Sequence, residues 1–189
     1  MRKKGWIVCC LLFREGDNWL AEALPIRREK GRVALQSRVG CWVFSAAFVI
    51  DRLTKAWAIA SLKDKPSIQA IPGVLRFTYV ENTGAAFGMF RNHPALLLGI
   101  VGVVVAGILA WLLWKGKEQP AFVQAVLWLF VSGAIGNLVD RVLWGHVVDF
   151  LAFSFISFPV FNVADCAVSV AFAALTVWIL WGKEKTGAE

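Results

Sequence analysis

The sequence predicts an all-α membrane protein: four transmembrane helices with a small outward-facing β-sheet on the membrane surface. Three observations predict it. Four stretches are each long and apolar enough to cross a bilayer, which takes about 20 residues. Hydrophobic residues make up 58% of the chain and charged residues only 17%, whereas soluble domains carry about a quarter charged. Ten tryptophans suit membrane–water interfaces, where Trp collects.

The first predicted span covers residues 39–62 and contains Asp51, Arg52 and Lys55. The second, residues 95–114, has no charge. The third, residues 121–143, ends in Asn137, Asp140 and Arg141, and the fourth, residues 164–181, begins with Asp165. Residues 1–38 read as a basic cytoplasmic extension. The apolar piece 6–13 within it is too short to span, and Arg14, Glu15 and Asp17 follow at once, with no small-residue cleavage site. Residues 39–182 form the intramembrane domain and 183–189 a cytoplasmic tail.

Charge sets the expected orientation. The extension, the 115–120 loop and the tail together hold thirteen Lys and Arg, against four in the 63–94 loop and none in the 144–163 loop. Basic residues stay on the cytoplasmic side, so both termini are expected there and the two longer loops outside. The net charge of +7 is thereby assigned to topology rather than to nucleic acid. Within the first outer loop, residues 73–81 are rich in β-branched and aromatic side chains and predict strand. Asn82-Thr83-Gly84 predicts a turn. Residues 147–161 are apolar and are expected to dip into the membrane interface.

An ionisable side chain at lipid depth costs roughly 2.5–3.5 kcal/mol on insertion scales, so it faces a bundle interior or a cavity. The predicted topology gathers Asp51, Asn82, Gly84, Asn137, Asp140, Arg141, Asp149, Asn162 and Asp165 at one depth. Asp149 and Asp165 are the candidate catalytic pair. Two close carboxyl groups cannot both ionise and share one proton; the ionised one takes a proton from water and the protonated one donates. Plainer roles stand beside this. Asp51 and Lys55 lie four apart and can pair on one helix face. Asp140 can pair with Arg141 at a helix end, Asp165 can serve the helix dipole, and Asn82 with Gly84 can be a simple turn. The four cysteines show no metal-ligand spacing and there are only two histidines, His93 and His146, so no Cys or His metal site is expected. Intramembrane Asp and Arg also occur in small ion or solute transporters, which leaves that reading open.

Four blocks carry a family resemblance: D-R-L-T-K at 51–55, E-N-T-G-A-A-F-G at 81–88, G-N-L-V-D-R-V-L-W-G-H-V-V-D-F at 136–150 and F-N-V-A-D at 161–165. In this order they resemble the bacterial lipoprotein signal peptidases, or signal peptidase II, over about residues 40–182. The resemblance implies a cofactor-independent aspartyl endopeptidase of the inner membrane. Its substrates would be prolipoproteins bearing a diacylglyceryl cysteine, cut just before that cysteine. It implies Asp149 and Asp165 as the dyad, with Asn82, Gly84, Asn137, Arg141 and Asn162 around it and Asp51 and Asp140 in support. A monomer among membrane lipids is expected. The chain departs from the family at Glu81, where a basic residue or His is common, and at Ala171, where Gly is common. Only fifteen residues separate the two aspartates.

Overall fold

The structure, a computed structural model, describes residues 30–85 and 89–182. Most of the basic extension, the 183–189 tail and residues 86–88 of the turn block lie outside the described residues. Four helices form the body: α1 (Lys30–Leu62), α2 (Pro94–Lys115), α3 (Ala121–Trp144) and α4 (Val163–Gly182). α1 begins at Lys30 rather than at residue 39, so the expected extension runs directly into it. Pro94 opens α2, where its missing N–H costs nothing. Gly145, at φ 77°, closes α3 in the left-handed conformation, its N–H bonded to the Arg141 carbonyl at 3.1 Å.

Among the described residues, three helices are long and apolar enough to cross a membrane: α2, α3 and Val163–Leu180 of α4. α1 has ample length at 33 residues, but Asp51, Arg52 and Lys55 interrupt its apolar run. Of the four expected spans, three therefore stand on length and composition.

α3 is the central helix and packs on each of the other three. Its Trp128, Val131 and Ala134 form a core with Val105 and Leu112 of α2. Small residues set the close approaches, as they do between helices in lipid. Gly40 of α1 lies under the Trp128 ring, Gly133 of α3 under the Ala164 carbonyl, and Gly136 beside the Asp51 carboxylate. α2 and α4 make little contact with each other, which leaves a groove between them floored by α3.

One end of the bundle carries a three-stranded antiparallel sheet, β1 (Ile68–Ile71), β2 (Leu75–Asn82) and β3 (Val147–Phe153), in that order. Gly73, at φ 72°, turns the β1–β2 hairpin, so the strand predicted over 73–81 starts two residues later. β3 occupies the first half of the segment expected to dip into the interface. Apart from Asp149 its residues are all apolar, as in a strand covered on both faces, and periodicity alone cannot identify it. Val147, Val148 and Phe150 are buried. Ala58 and Leu62 of α1 pack against Val148 and Phe150, and the Trp57 ring stands edge-on to Phe77 and Phe150. Between Phe77 and Val80 the β2–β3 register shifts by one residue. Such a bulge re-aims the side chains beyond it, here those leading to Asn82.

A methyl group at Gly133 would collide with the Ala164 backbone carbonyl, which cannot move without moving α4. Gly133→Ala is expected to cost about 1–3 kcal/mol of stability, read as a lower thermal midpoint in detergent.

Candidate active site

Asn162, Val163, Ala164 and Asp165 form a capping box at the start of α4. The Asp165 N–H donates to Asn162 Oδ1 at 3.0 Å, and the Asn162 N–H donates to Asp165 Oδ2 at 3.1 Å. A third free amide of this helix end, the Ala164 N–H, donates to Asp51 Oδ1 at 3.2 Å. Three polar side chains thus hold the first turn of α4 against α1 and fix the direction of Asp165.

Asp149 arrives from the sheet. Phe161 exchanges two backbone hydrogen bonds with Leu151, at 2.8 and 2.9 Å. This clasp folds the return chain back onto β3 and delivers Asn162 beside Asp149. Asn162 Nδ2 then donates to Asp149 Oδ1 at 2.7 Å. On the other side, Asn82 Nδ2 donates to Asp149 Oδ2 at 2.8 Å. Asn82 is itself held by an Asx turn, the Gly84 N–H donating to its Oδ1 at 3.0 Å. The expected turn is present, and it also orients a side chain toward Asp149. Burial, then the charge of Asp165, push the Asp149 carboxyl up to about 6, against the pull of the Asn82 and Asn162 amides.

Asn137 links this pair to a set of charges deeper in the bundle. Its Nδ2 donates to Asp165 Oδ1 at 2.7 Å, and its Oδ1 accepts from Lys55 Nζ at 2.7 Å and from Asn162 Nδ2 at 3.2 Å. Lys55 also meets Asp140 Oδ2 at 2.7 Å and Asp51 Oδ2 at 3.0 Å. Arg52 Nη2 reaches Asp51 Oδ2 at 2.5 Å and the Gly136 carbonyl at 3.0 Å, and its Nη1 pairs with Asp140. Asp51, Lys55 and Asp140 are nearly inaccessible to solvent. Two acids and two bases cancel, which is what buried charge requires.

The expected Asp51–Lys55 pair is present, as one edge of this network. The alternative pairing of Asp140 with Arg141 is not made. Neighbouring side chains on a helix point about 100° apart, so Asp140 faces the α1 bases while Arg141 turns the other way. Arg141 Nη2 donates to the Gly84 carbonyl at 2.7 Å and Nη1 to the Asn137 carbonyl at 3.2 Å. Its Nε is buried with no partner among the described residues. All nine residues picked from the sequence meet at this place. Arg52 and Lys55 belong to it too, and sequence reasoning left them out of the site. The i,i+4 spacing of Lys55 from Asp51 was the available signal; their reach to Asp140 on another helix has no sequence signature.

Asn82, Asn137, Arg141, Asp149 and Asp165 line one end of a cavity of about 760 Å³, and the rest of its wall is almost wholly apolar. Leu97, Ile100, Val101, Val104 and Val105 of α2, Phe130 and Ala134 of α3, and Val168 and Val170 of α4 form that wall. The site sits at the head of the α2–α4 groove. A peptide of mainly apolar side chains would fit such a cavity, with polar groups converging on one point of its backbone.

Residues 43–181 match the family model for signal peptidase (SPase) II. The chain belongs to the signal peptidase II family. The lipoprotein signal peptidase of Thermosynechococcus vestitus is 43% identical over 143 residues, covering 74% of this chain and 89% of that one. The Clostridium tetani lipoprotein signal peptidase is 38% identical over 135 residues, covering 70% and 86%. A bacterial membrane enzyme solved by the in meso method aligns with a TM-score of 0.69 at 26% identity, covering 79% of this chain and 91% of that one. Signal peptidase II is a protease family, and membership in it displaces the transporter reading.

Lys55→Met would leave Asp51, Asp140 and Asn137 Oδ1 around an empty position. Removing one member of a buried ion set costs about 3–5 kcal/mol, so the variant is expected to lose most of its thermal stability in detergent. Asp149 generates a second expectation. Its folded value of about 6 lies above the ordinary 3.8, so the folded state holds the proton more tightly than the unfolded state. Its contribution to stability is complete below that ordinary value and is lost as pH rises through about 6. The thermal midpoint should fall across this window, and Asp149→Asn should flatten the fall.

Proposed function

We propose that this protein is an aspartyl endopeptidase of the bacterial inner membrane. It removes signal peptides from diacylglyceryl-modified prolipoproteins, cutting before the lipidated cysteine. The observation that carries the reading is the convergence of Asp149 and Asp165 on Asn162, whose side-chain amide donates to the first and whose backbone N–H donates to the second, at the head of an apolar cavity. The names of the relatives supply the substrate class.

In this reading α1 is the fourth span, its three charges neutralised by Asp140 rather than exposed to lipid. Both termini are cytoplasmic, as the Lys and Arg count requires, and the sheet and the carboxylates face outward. Residues 39–182 make the peptidase domain, with 1–38 a cytoplasmic extension and 183–189 a tail. A signal peptide is an apolar spanning segment, so it enters the α2–α4 groove sideways from the bilayer.

The chemistry needs no group beyond the chain and water. One carboxylate of the pair accepts a proton as water attacks the scissile carbonyl. The other, protonated, donates to the carbonyl oxygen and then to the leaving amine. A carboxyl near 6 suits this, since at neutral pH it accepts and returns a proton without a large penalty. The Asn82 and Asn162 amides hold Asp149 in position, and Asn137 holds Asp165. Arg141, with its free Nε and its bond to the Gly84 carbonyl, is placed to contact the substrate backbone and steady the 82–84 turn.

Asp149→Asn and Asp165→Asn should each lower cleavage of a purified diacylglyceryl prolipoprotein by about 10³-fold or more, with the folded state retained. An unlipidated substrate should be cut poorly by the wild type. Wild-type rates from either variant would end the dyad assignment.

A further inference from the structure

The cavity that holds Asp149 and Asp165 is polar at the sheet end and apolar below, with one hydroxyl in its deeper part. Ser169 lines the cavity and is exposed. It follows Asp165 by four residues, one helical turn, so both side chains lie on the same face of α4 with Ser169 about 6 Å further from the sheet.

Three other hydroxyls in the bundle bond helix carbonyls; among the described residues Ser45 and Ser61 of α1 do not, but neither lines this cavity. Thr54 bonds the Ile50 carbonyl at 2.8 Å, Thr176 the Phe172 carbonyl at 2.8 Å, and Ser132 the Phe44 carbonyl across to α1 at 3.0 Å. Ser169 makes no such bond among the described residues. The apolar wall of the cavity, which includes Val101, Val104, Val105 and Val168, offers a hydroxyl no partner.

A peptide about to be cut presents the complementary need. Its scissile carbonyl must be open to water, so the chain around it is extended rather than helical. An extended chain in an apolar groove leaves backbone carbonyls unpaired, which is costly away from water. Extended backbone advances about 3.3 Å per residue. A donor about 6 Å below the carboxylates therefore meets the chain two residues before the scissile bond, on the signal-peptide side.

We propose that Ser169 is a substrate-positioning residue whose hydroxyl donates a hydrogen bond to the backbone carbonyl two residues before the scissile bond. This rests on the reading of Asp149 and Asp165 as the hydrolytic pair. The Cys166 thiol beside it in the cavity is too weak a donor to replace it. Ser169 acts on the register of the peptide, since a substrate slipped by one residue would present no carbonyl to it.

The test is steady-state cleavage of a diacylglyceryl prolipoprotein peptide by the full-length enzyme, Ser169→Ala and Ser169→Thr. The alanine variant is expected to raise KM about five- to tenfold, the worth of one neutral hydrogen bond, with kcat nearly unchanged. Threonine should restore KM. A second peptide replaces the amide carrying that carbonyl with an ester, which weakens the acceptor. It should lose affinity with the wild type and lose nothing further with Ser169→Ala. An unchanged KM in the alanine variant, or an equal ester penalty in both enzymes, would overturn the Ser169 role alone. A folded wild type that cuts neither peptide would sink the hydrolytic reading and this one with it.

Discussion

The side-chain amide of Asn162 is the joint on which the site depends. Its oxygen caps the first turn of α4 and its nitrogen donates to Asp149 and to Asn137. One planar group therefore ties a strand, a helix start and the central helix together. An amide suits this place because it both accepts and donates without carrying charge. A carboxylate would add a third negative group to the pair, and a serine could not span the same distances. Asn162 has no solvent exposure, so water cannot stand in for any bond it loses.

Around this joint the charges divide into two sets. Asp51, Arg52, Lys55 and Asp140 satisfy one another and hold α1 against α3. Asp149 and Asp165 receive mainly neutral amides, with Lys55 and Arg141 acting on them from farther away. The first set pairs opposite charges directly; the second is left less compensated. The same low-dielectric surroundings thus give a structural clamp on one side of Asn137 and the proposed catalytic pair on the other, and the difference lies in how many full positive charges stand within bonding reach.

Much of this was legible in the sequence. Uninterrupted apolar runs gave α2, α3 and α4 to within a residue or two, because in lipid a span must be both helical and apolar over a fixed length. Isolated polar residues in such runs marked the site, since nothing but function or pairing keeps them there. β3 was less legible: Val147, Val148 and Phe150 are as apolar as a membrane-dipping loop would be, and only their pairing with β2 distinguishes them. The partition of Asp140 toward α1 and Arg141 toward the 82–84 turn was not legible either. It depends on the rotation of α3 about its axis, which close packing at Gly133 and Gly136 decides. The charged trio in α1 marked that helix as unusual without showing where its charges would be met.

The clasp between Phe161 and Leu151 separates two jobs that the connecting chain would otherwise share. Residues 154–160 run from the end of β3 to this clasp, and the spacing of the two aspartates is fixed on the near side of it. The excursion can therefore lengthen, shorten or change composition without altering the reactive geometry. A segment insulated in this way is free to drift during evolution. Under the proposed function, differences among cargo proteins can then be accommodated at the mouth of the groove while the two aspartates keep their places.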